Sequence, residues 1–573
     1  MLSARVLSDL GWLLPLLAVA AGQARAQGKP VPELHCDGQR ISGIHVSTLR
    51  PPFTGEARYW RRLAHSLGFH HATTDPVVVR RFLALKDGGV CTDFRMRESA
   101  RLLREQPFIA DAKVWAVPAD SGRVRIEVET VDEIPVVASG AVASGRPSYL
   151  EIGNQNMFGD AWLLAVHGSD RILEGRSAGF RFSDYQFLGR PYQFDAATDW
   201  GNRTSAWLLD ASHAYQTNLQ RIAWEAGIAH AGQQFFVIHR GDDVADLGIA
   251  YRRTAADVGG VIKLGNLRTP ILVGSILTMY QFEALNGLAI TKHDGLLPDT
   301  TLQGRYGKIN RARLTGVGAW RNLNFITVHG FDALTGTQDL PTGFQAFGQL
   351  GRGTHAFKGQ SDVFVLGDML AGVGSGKTYA EVHLVNEGER LIGQLVWQGV
   401  VSSGWFAAYW KPNDATLVRG WVDYAGGWRV QAPFQLQLST EDERLIGYHG
   451  SLFGARRVAS GILYRRLLPN VSRRADVAVG AFVDAGRLWQ GDVPFGVDTP
   501  VLTSAGISFF GALPKGSQRI LRIDFGAALR PGLPHSGWEV RLTYDDVGRR
   551  IREEPRDVAA GRVQLVGPDV FRP

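Results

Sequence analysis

Two cysteines in 573 residues leave room for at most one disulfide. Cys36 and Cys91 can pair in an oxidising compartment, or stay as two thiols. His65, His70 and His71 lie between them at a spacing that fits no strong metal-ligand pattern, so no metal is expected. After residue 26 no window approaches the ~18 consecutive apolar residues of a membrane-spanning helix. H-E-x-x-H does not occur, and no enzyme is expected. A repeat of about 40–50 residues, which a β-propeller would carry, is also missing. The stretch Ala371 to Thr378, AGVGSGKT, fits a relaxed phosphate-loop expression. The text after it, YAEVHLV, has period two, so no helix N-terminus waits for a phosphate and no cofactor is expected. The net charge of +7 comes from arginines scattered along alternating segments rather than gathered in a stripe. That argues against nucleic-acid binding.

What is present is glycine (68 residues), aromatics (10%) and a mean hydropathy of −0.08. That is too polar for a helical membrane protein and too aromatic for a disordered chain. A transmembrane barrel has this average, because its lumen face dilutes its lipid face. The first residues read as a secretory signal over 1–26. Arg5 supplies the positive start, Leu10 to Ala20 the short apolar run, and Ala24-Arg25-Ala26 the cleavage site before Gln27.

Residues 27–134 form a separate module. Ile41 to Val46 reads as a strand, and Thr74-Asp75-Pro76 as a capped helix start. Val77, Val78, Phe82 and Leu85 follow helical spacing up to Gly88-Gly89, and a second helix runs from about Phe94 to Arg104. Val114 and Ala116, then Val124, Ile126 and Val128, alternate as two strands. The order is strand, helix, helix, strand, strand. It resembles a POTRA domain, the periplasmic α+β module that precedes certain outer-membrane barrels. Exposed sheet edges in such a module can accept an extended client peptide by strand addition, or another periplasmic partner.

From 135 to 545 the chain is strand-and-turn text. Segments such as SAGFRFSDY (Ser177 to Tyr185) and AWLLDASHAY (Ala206 to Tyr215) alternate and are divided by Gly, Asn, Asp and Pro. At ~25 residues per strand and connection, the expectation is a mainly β protein with about sixteen antiparallel transmembrane strands. A charged tail occupies 546–573.

Behind the module, the barrel resembles the BamA/TamA-type superfamily of outer-membrane assembly and translocation barrels. Glu151 to Gly159, EIGNQNMFG, is similar to its opening strand and corner, and Phe187-Leu188-Gly189 to its next hairpin. That family carries a lumen loop tipped by V/I-R-G-Y/F. Leu445-Ile446-Gly447-Tyr448 takes that place here, with Ile446 where the family has arginine. Val418-Arg419-Gly420-Trp421 is a competing match. The family's inner-wall F-x-D-x-G matches Phe482, Asp484 and Gly486, and Arg444 can substitute for the missing tip arginine from the same face of an extended chain. Arg522, Asp524 and Phe525 continue the likeness, and Trp538 to Tyr544 looks like the closing strand. Family members usually end there, whereas this chain continues. The resemblance implies a bacterial outer-membrane protein, with its N-terminal domain in the periplasm, that helps insert, assemble or translocate other proteins. Unfolded clients would add a strand at a seam between a first strand near Tyr149 and the closing strand near Trp538. A passive pore or surface-antigen barrel stays open as the alternative.

Overall fold

The computed structural model describes residues 35–49, 72–143, 146–240, 246–290, 295–438, 445–448, 452–469, 471–472, 474–530, 536–546 and 553–562. The expected signal over 1–26 lies outside them.

The N-terminal part is a four-stranded sheet in the order β2-β1-β4-β3, formed by β1 (Asp37–Leu49), β2 (Val90–Thr92), β3 (Ile109–Pro118) and β4 (Val124–Asp132). Helices α1 (Pro76–Phe82) and α2 (Asp93–Arg104) belong to the same unit. β1 runs parallel to β4, with Ile44 opposite Ile126 and Val46 opposite Val128, and β3 pairs antiparallel with β4. Alternation fixes β4: Val124, Ile126 and Val128 are buried in the core with Phe82, Leu103 and Phe108. Asp75 caps α1 by accepting from the Val77 N–H at 2.6 Å, and Pro76 occupies its first turn. The helical spacing predicts α1 as far as Gly88, but it ends at Phe82. Leu83 turns extended, and the Ala84 N–H donates to Ser99 Oγ on α2 at 3.0 Å. The side-chain acceptor takes the bond that another helical turn would have used.

Cys36 and Cys91 form a disulfide joining the start of β1 to β2, with a sequence separation of 55. Replacing both with serine is expected to cost the domain about 2–4 kcal/mol. Calorimetry would see the first transition fall while the barrel's transition stays in place.

From Val136–Ala143 to Trp538–Asp546 the chain closes into a barrel. Among the described residues twenty strands make the ring; one further strand, Leu296–Asp299, is a short flap paired with the end of Ile271–Ile290. This corrects the expected sixteen. The estimate assumed long connections, yet many are tight: only Asp414 and Ala415 separate Gln398–Asn413 from Thr416–Trp428. Tyr149 lies on the second strand, opposite Ala141, so the first strand of the seam is Val136–Ala143. Its small residues, VVASGAVA, alternate too weakly to be read from sequence.

Burial along the wall inverts the pattern of a water-soluble sheet. On Ile309–His329, Arg313 is 0% exposed and its neighbour Leu314 is 58% exposed; Arg321 is buried while Trp320 faces outward. Leu350, Val365, Leu384, Val483 and Ile507 are exposed on other strands. A contiguous apolar exterior of this extent is not tolerated in water. With an ionic interior, it is the arrangement of a barrel solvated by lipid. No helix among the described residues is long and apolar enough to cross a membrane.

Candidate functional site

The lumen is filled from both ends. Where the chain passes from Thr416–Trp428 to Arg456–Leu467, residues 429–455 intervene, and their described part reaches inward. At its tip Gly447 has φ +83°, and a Cβ there would lie 2.5 Å from the Gly537 carbonyl oxygen. The Gly447 N–H donates to Glu539 Oε2 at 2.8 Å, and its carbonyl accepts from the Gly537 N–H at 2.8 Å. Tyr448 bridges to Ser536, donates its hydroxyl to the Thr503 carbonyl at 2.7 Å and accepts from the Thr503 N–H at 3.2 Å. The tip therefore clasps residues 536–539, the entry to the closing strand.

The neighbouring side chains hold that clasp by packing. Ile446 is buried in one cluster with Phe482, Leu463, Phe510, Ile520 and Leu334. Gly526 makes room for it: a Cβ at that position would sit 2.3 Å from Ile446 Cγ2 and 3.0 Å from Phe482 Cζ. Gly486 does the same for the loop's leucines, since a Cβ there would come within 2.7 Å of Leu438 and 2.8 Å of Leu445. Phe482, Gly486, Ile446, Gly447 and Tyr448 are thus drawn into one lumen assembly. Asp484 is buried two residues along, opposite Gly461 and Ser504, with its carboxylate over Gly461. Arg444 lies outside the described residues. Val418 to Trp421 stands on the wall strand Thr416–Trp428, not in a loop.

Three features escape sequence reading. The turn after Ile309–His329 folds inward, and Arg465 donates to the carbonyls of Gly330, Phe331, Asp332 and Ala333 at 2.7–3.1 Å. Tyr409 donates to Asp332 at 2.7 Å. The only hint is an apolar pair, Phe331 and Leu334, in a hairpin connection. Second, Arg311, Arg313, Asp362 and Glu389 form a buried ionic cluster, which Gln431 of the lumen loop joins at 2.9 Å from Arg311. Third, the N-terminal domain is docked on one rim. Arg101 is buried between Glu98, Glu105 and the Gln216 carbonyl, over the Phe325 ring at 4.1 Å, and Arg104 reaches Asp339 at 2.6 Å. The Tyr185 ring, in a rim turn, meets that of Phe108 tilted, with centroids 5.7 Å apart.

Glu133 seals the same junction, accepting from Ser517 Oγ at 2.7 Å and the Gln518 N–H at 3.0 Å. Burial pushes its carboxyl up to about 7, against those bonds and the Arg519 charge; Asp546 adds to the rise. The docked state then holds a proton that an exposed glutamate has released above its ordinary 4.5. Docking is favoured at low pH and loses about 3 kcal/mol as pH rises from the ordinary glutamate range through 7. Hydrogen exchange at 517–519, corrected for intrinsic rates, is expected to quicken between pH 5 and 8 in the native chain and to lose that pH dependence in Glu133→Gln.

No family model matches the chain, and no curated protein does. Among solved structures it is similar to BamA from Haemophilus ducreyi lacking POTRA domains 1–3, at 13% identity over 87% of this chain and 84% of that one, with a TM-score of 0.34. CdiB from Acinetobacter baumannii gives 9% identity over 94% and 96%, with a TM-score of 0.36. CdiB from Escherichia coli gives 10% over 95% and 98%, with a TM-score of 0.35. The barrel assignment rests on the hydrogen-bonded ring and its inverted burial: this chain is a lipid-facing barrel whose lumen loop grips the entry to its last strand.

Proposed function

We propose that this protein sits in the bacterial outer membrane, with its N-terminal domain in the periplasm, and assists insertion, assembly or translocation of other proteins there. The observation that carries this reading is the clasp of Gly447 and Tyr448 on residues 536–539, beside the seam. The two seam strands, Val136–Ala143 and Trp538–Asp546, have 8 and 9 residues, against 21 in Ile309–His329. Shorter strands share fewer ladder bonds, so the seam parts at less cost than the long-stranded wall; Gln193–Gly201 and Ser205–His213, nine residues each, are as short but carry no clasp of Gly447 and Tyr448. Each backbone group left unpaired in lipid costs several kcal/mol, so the seam parts only as a client strand replaces the lost partner.

In the N-terminal sheet, β3 is an edge and offers a client its first pairing. The outer wall meets membrane lipid and lipopolysaccharide. No nucleotide, metal or catalytic group is called on; client folding drives the reaction. A pore left permanently open has no need of a loop that grips the last strand.

Photocrosslinkers at Ala138 and Leu542 are expected to capture nascent outer-membrane proteins in cells, and depletion to lower the level of a subset of them. Absence of adducts, with an unchanged outer-membrane protein profile, would return the protein to the passive-pore or surface-antigen reading.

A further inference from the structure

Sequence beyond the closing strand places a second occupant in the lumen. Trp538–Asp546 ends at the rim that carries the N-terminal domain: Asp546 stands opposite Arg519, beside Glu133's partners Ser517 and Gln518. Residues 553–562 are nevertheless held against the other half of the barrel. Glu554 accepts from Ser403 Oγ at 2.8 Å. Arg562 donates to Glu554 at 2.6 Å and pairs with Glu387 at 3.0 Å, two residues from the ionic cluster's Glu389. Asp557 pairs with Arg457, which also reaches the Gln437 carbonyl at 2.7 Å. Between these charges, the helical turn Arg556–Ala559 buries Val558 with Val401, Ala425, Phe434 and Leu436. Gly561 lets the Phe434 ring approach, for a Cβ there would lie 2.9 Å away.

Residues 553–562 thus touch both the wall and the lumen loop. We propose that they are a removable lumen plug: a peptide segment seated by two guanidinium–carboxylate pairs and one apolar side chain, which closes the barrel and must leave before anything passes. The chemistry suits removal. The two pairs are buried while the segment is seated, but its departure opens both partners of each to lumen water, which solvates the charges as the pairs part, and the apolar part is a single turn around one valine. The site it vacates would accept another peptide segment bearing a carboxylate for Arg457 and a cation for Glu387. The proposal needs only the barrel, not the assembly role.

The test is planar-bilayer conductance of the full chain and of a chain ending at Asp546. The truncated barrel is expected to conduct several-fold more. Unchanged conductance from a truncated barrel that keeps its heat-modifiable mobility would overturn the plug. Should truncation prevent barrel formation, labelling with an impermeant maleimide decides, since the native cysteines are tied in the disulfide. Val558→Cys is expected to react several-fold more slowly than Leu395→Cys, at a turn position 91% exposed. Adding Asp557→Lys, which repels Arg457, is expected to bring the two rates together. Equal rates without Asp557→Lys would sink the proposal, and so would a Val558→Cys rate that Asp557→Lys does not raise.

Discussion

Replacing Asp362 with alanine is expected to destabilise the barrel by about 3–5 kcal/mol, the cost of leaving a buried charge without its partner. Asp362 is 0% exposed, accepts from Arg313 at 2.7, 3.0 and 3.1 Å and lies 3.0 Å from the Arg311 guanidinium as an ion pair. Without it, two buried guanidiniums face Glu389 alone. Exchanging all four residues for apolar side chains of similar volume is expected to be far milder, since it removes the charges together with their desolvation cost. The exposed pair Arg176 and Asp170, at 3.3 Å, supplies the control: Asp170→Asn should cost about 0–1 kcal/mol. Urea titration in detergent, followed by loss of heat-modifiable mobility, ranks the three. Equal losses for Asp362→Ala and Asp170→Asn would show that water reaches the cluster freely.

The contrast between those two pairs also marks what the sequence could and could not convey. Period-two alternation is local, so Ser177 to Tyr185 is legible as a strand and becomes Gly175–Asp184. Strand number depends on connection lengths, and turns as short as Asp414-Ala415 leave little trace between two alternating segments. Lumen contents depend on which distant residues meet. Phe331 has only its apolar neighbour Leu334 as a hint that it points inward, Val558 has none, and an arginine such as Arg465 reads the same whether it binds carbonyls or water. The expectation that a charged pair must hold the loop tip comes from likeness alone. Ile446 is a hydrophobic side chain, and the wall opposite it supplies Phe482 and the bare backbone of Gly526. Within the described residues the seat of this tip is apolar, so isoleucine matches its surroundings.

Because that seat is apolar, Phe482→Ala is expected to have the second large effect. The Phe482 ring is wedged over two glycines: a Cβ at Gly506 would lie 2.5 Å from its Cζ, and one at Gly526 3.0 Å. Neighbouring strands have no side chains there to fill the cavity, so the loss should reach about 3–5 kcal/mol, with Phe482→Leu nearer 1 kcal/mol. The consequence should travel along the loop. Ile446 loses its principal neighbour, Gly447 and Tyr448 lose their register, and residues 536–539 lose the bonds at 2.8 Å that hold the closing strand's entry. Hydrogen exchange is therefore expected to quicken at both 445–448 and 536–539 in Phe482→Ala, although the second segment is not the one mutated. A double-mutant cycle with Ile446→Ala should give a coupling of about 0.5–3 kcal/mol, as for residues in direct contact. If exchange at 536–539 stays at its native rate while 445–448 loosens, the grip on the closing strand is independent of the apolar seat. The seam would then have to be controlled from the barrel wall rather than from the lumen.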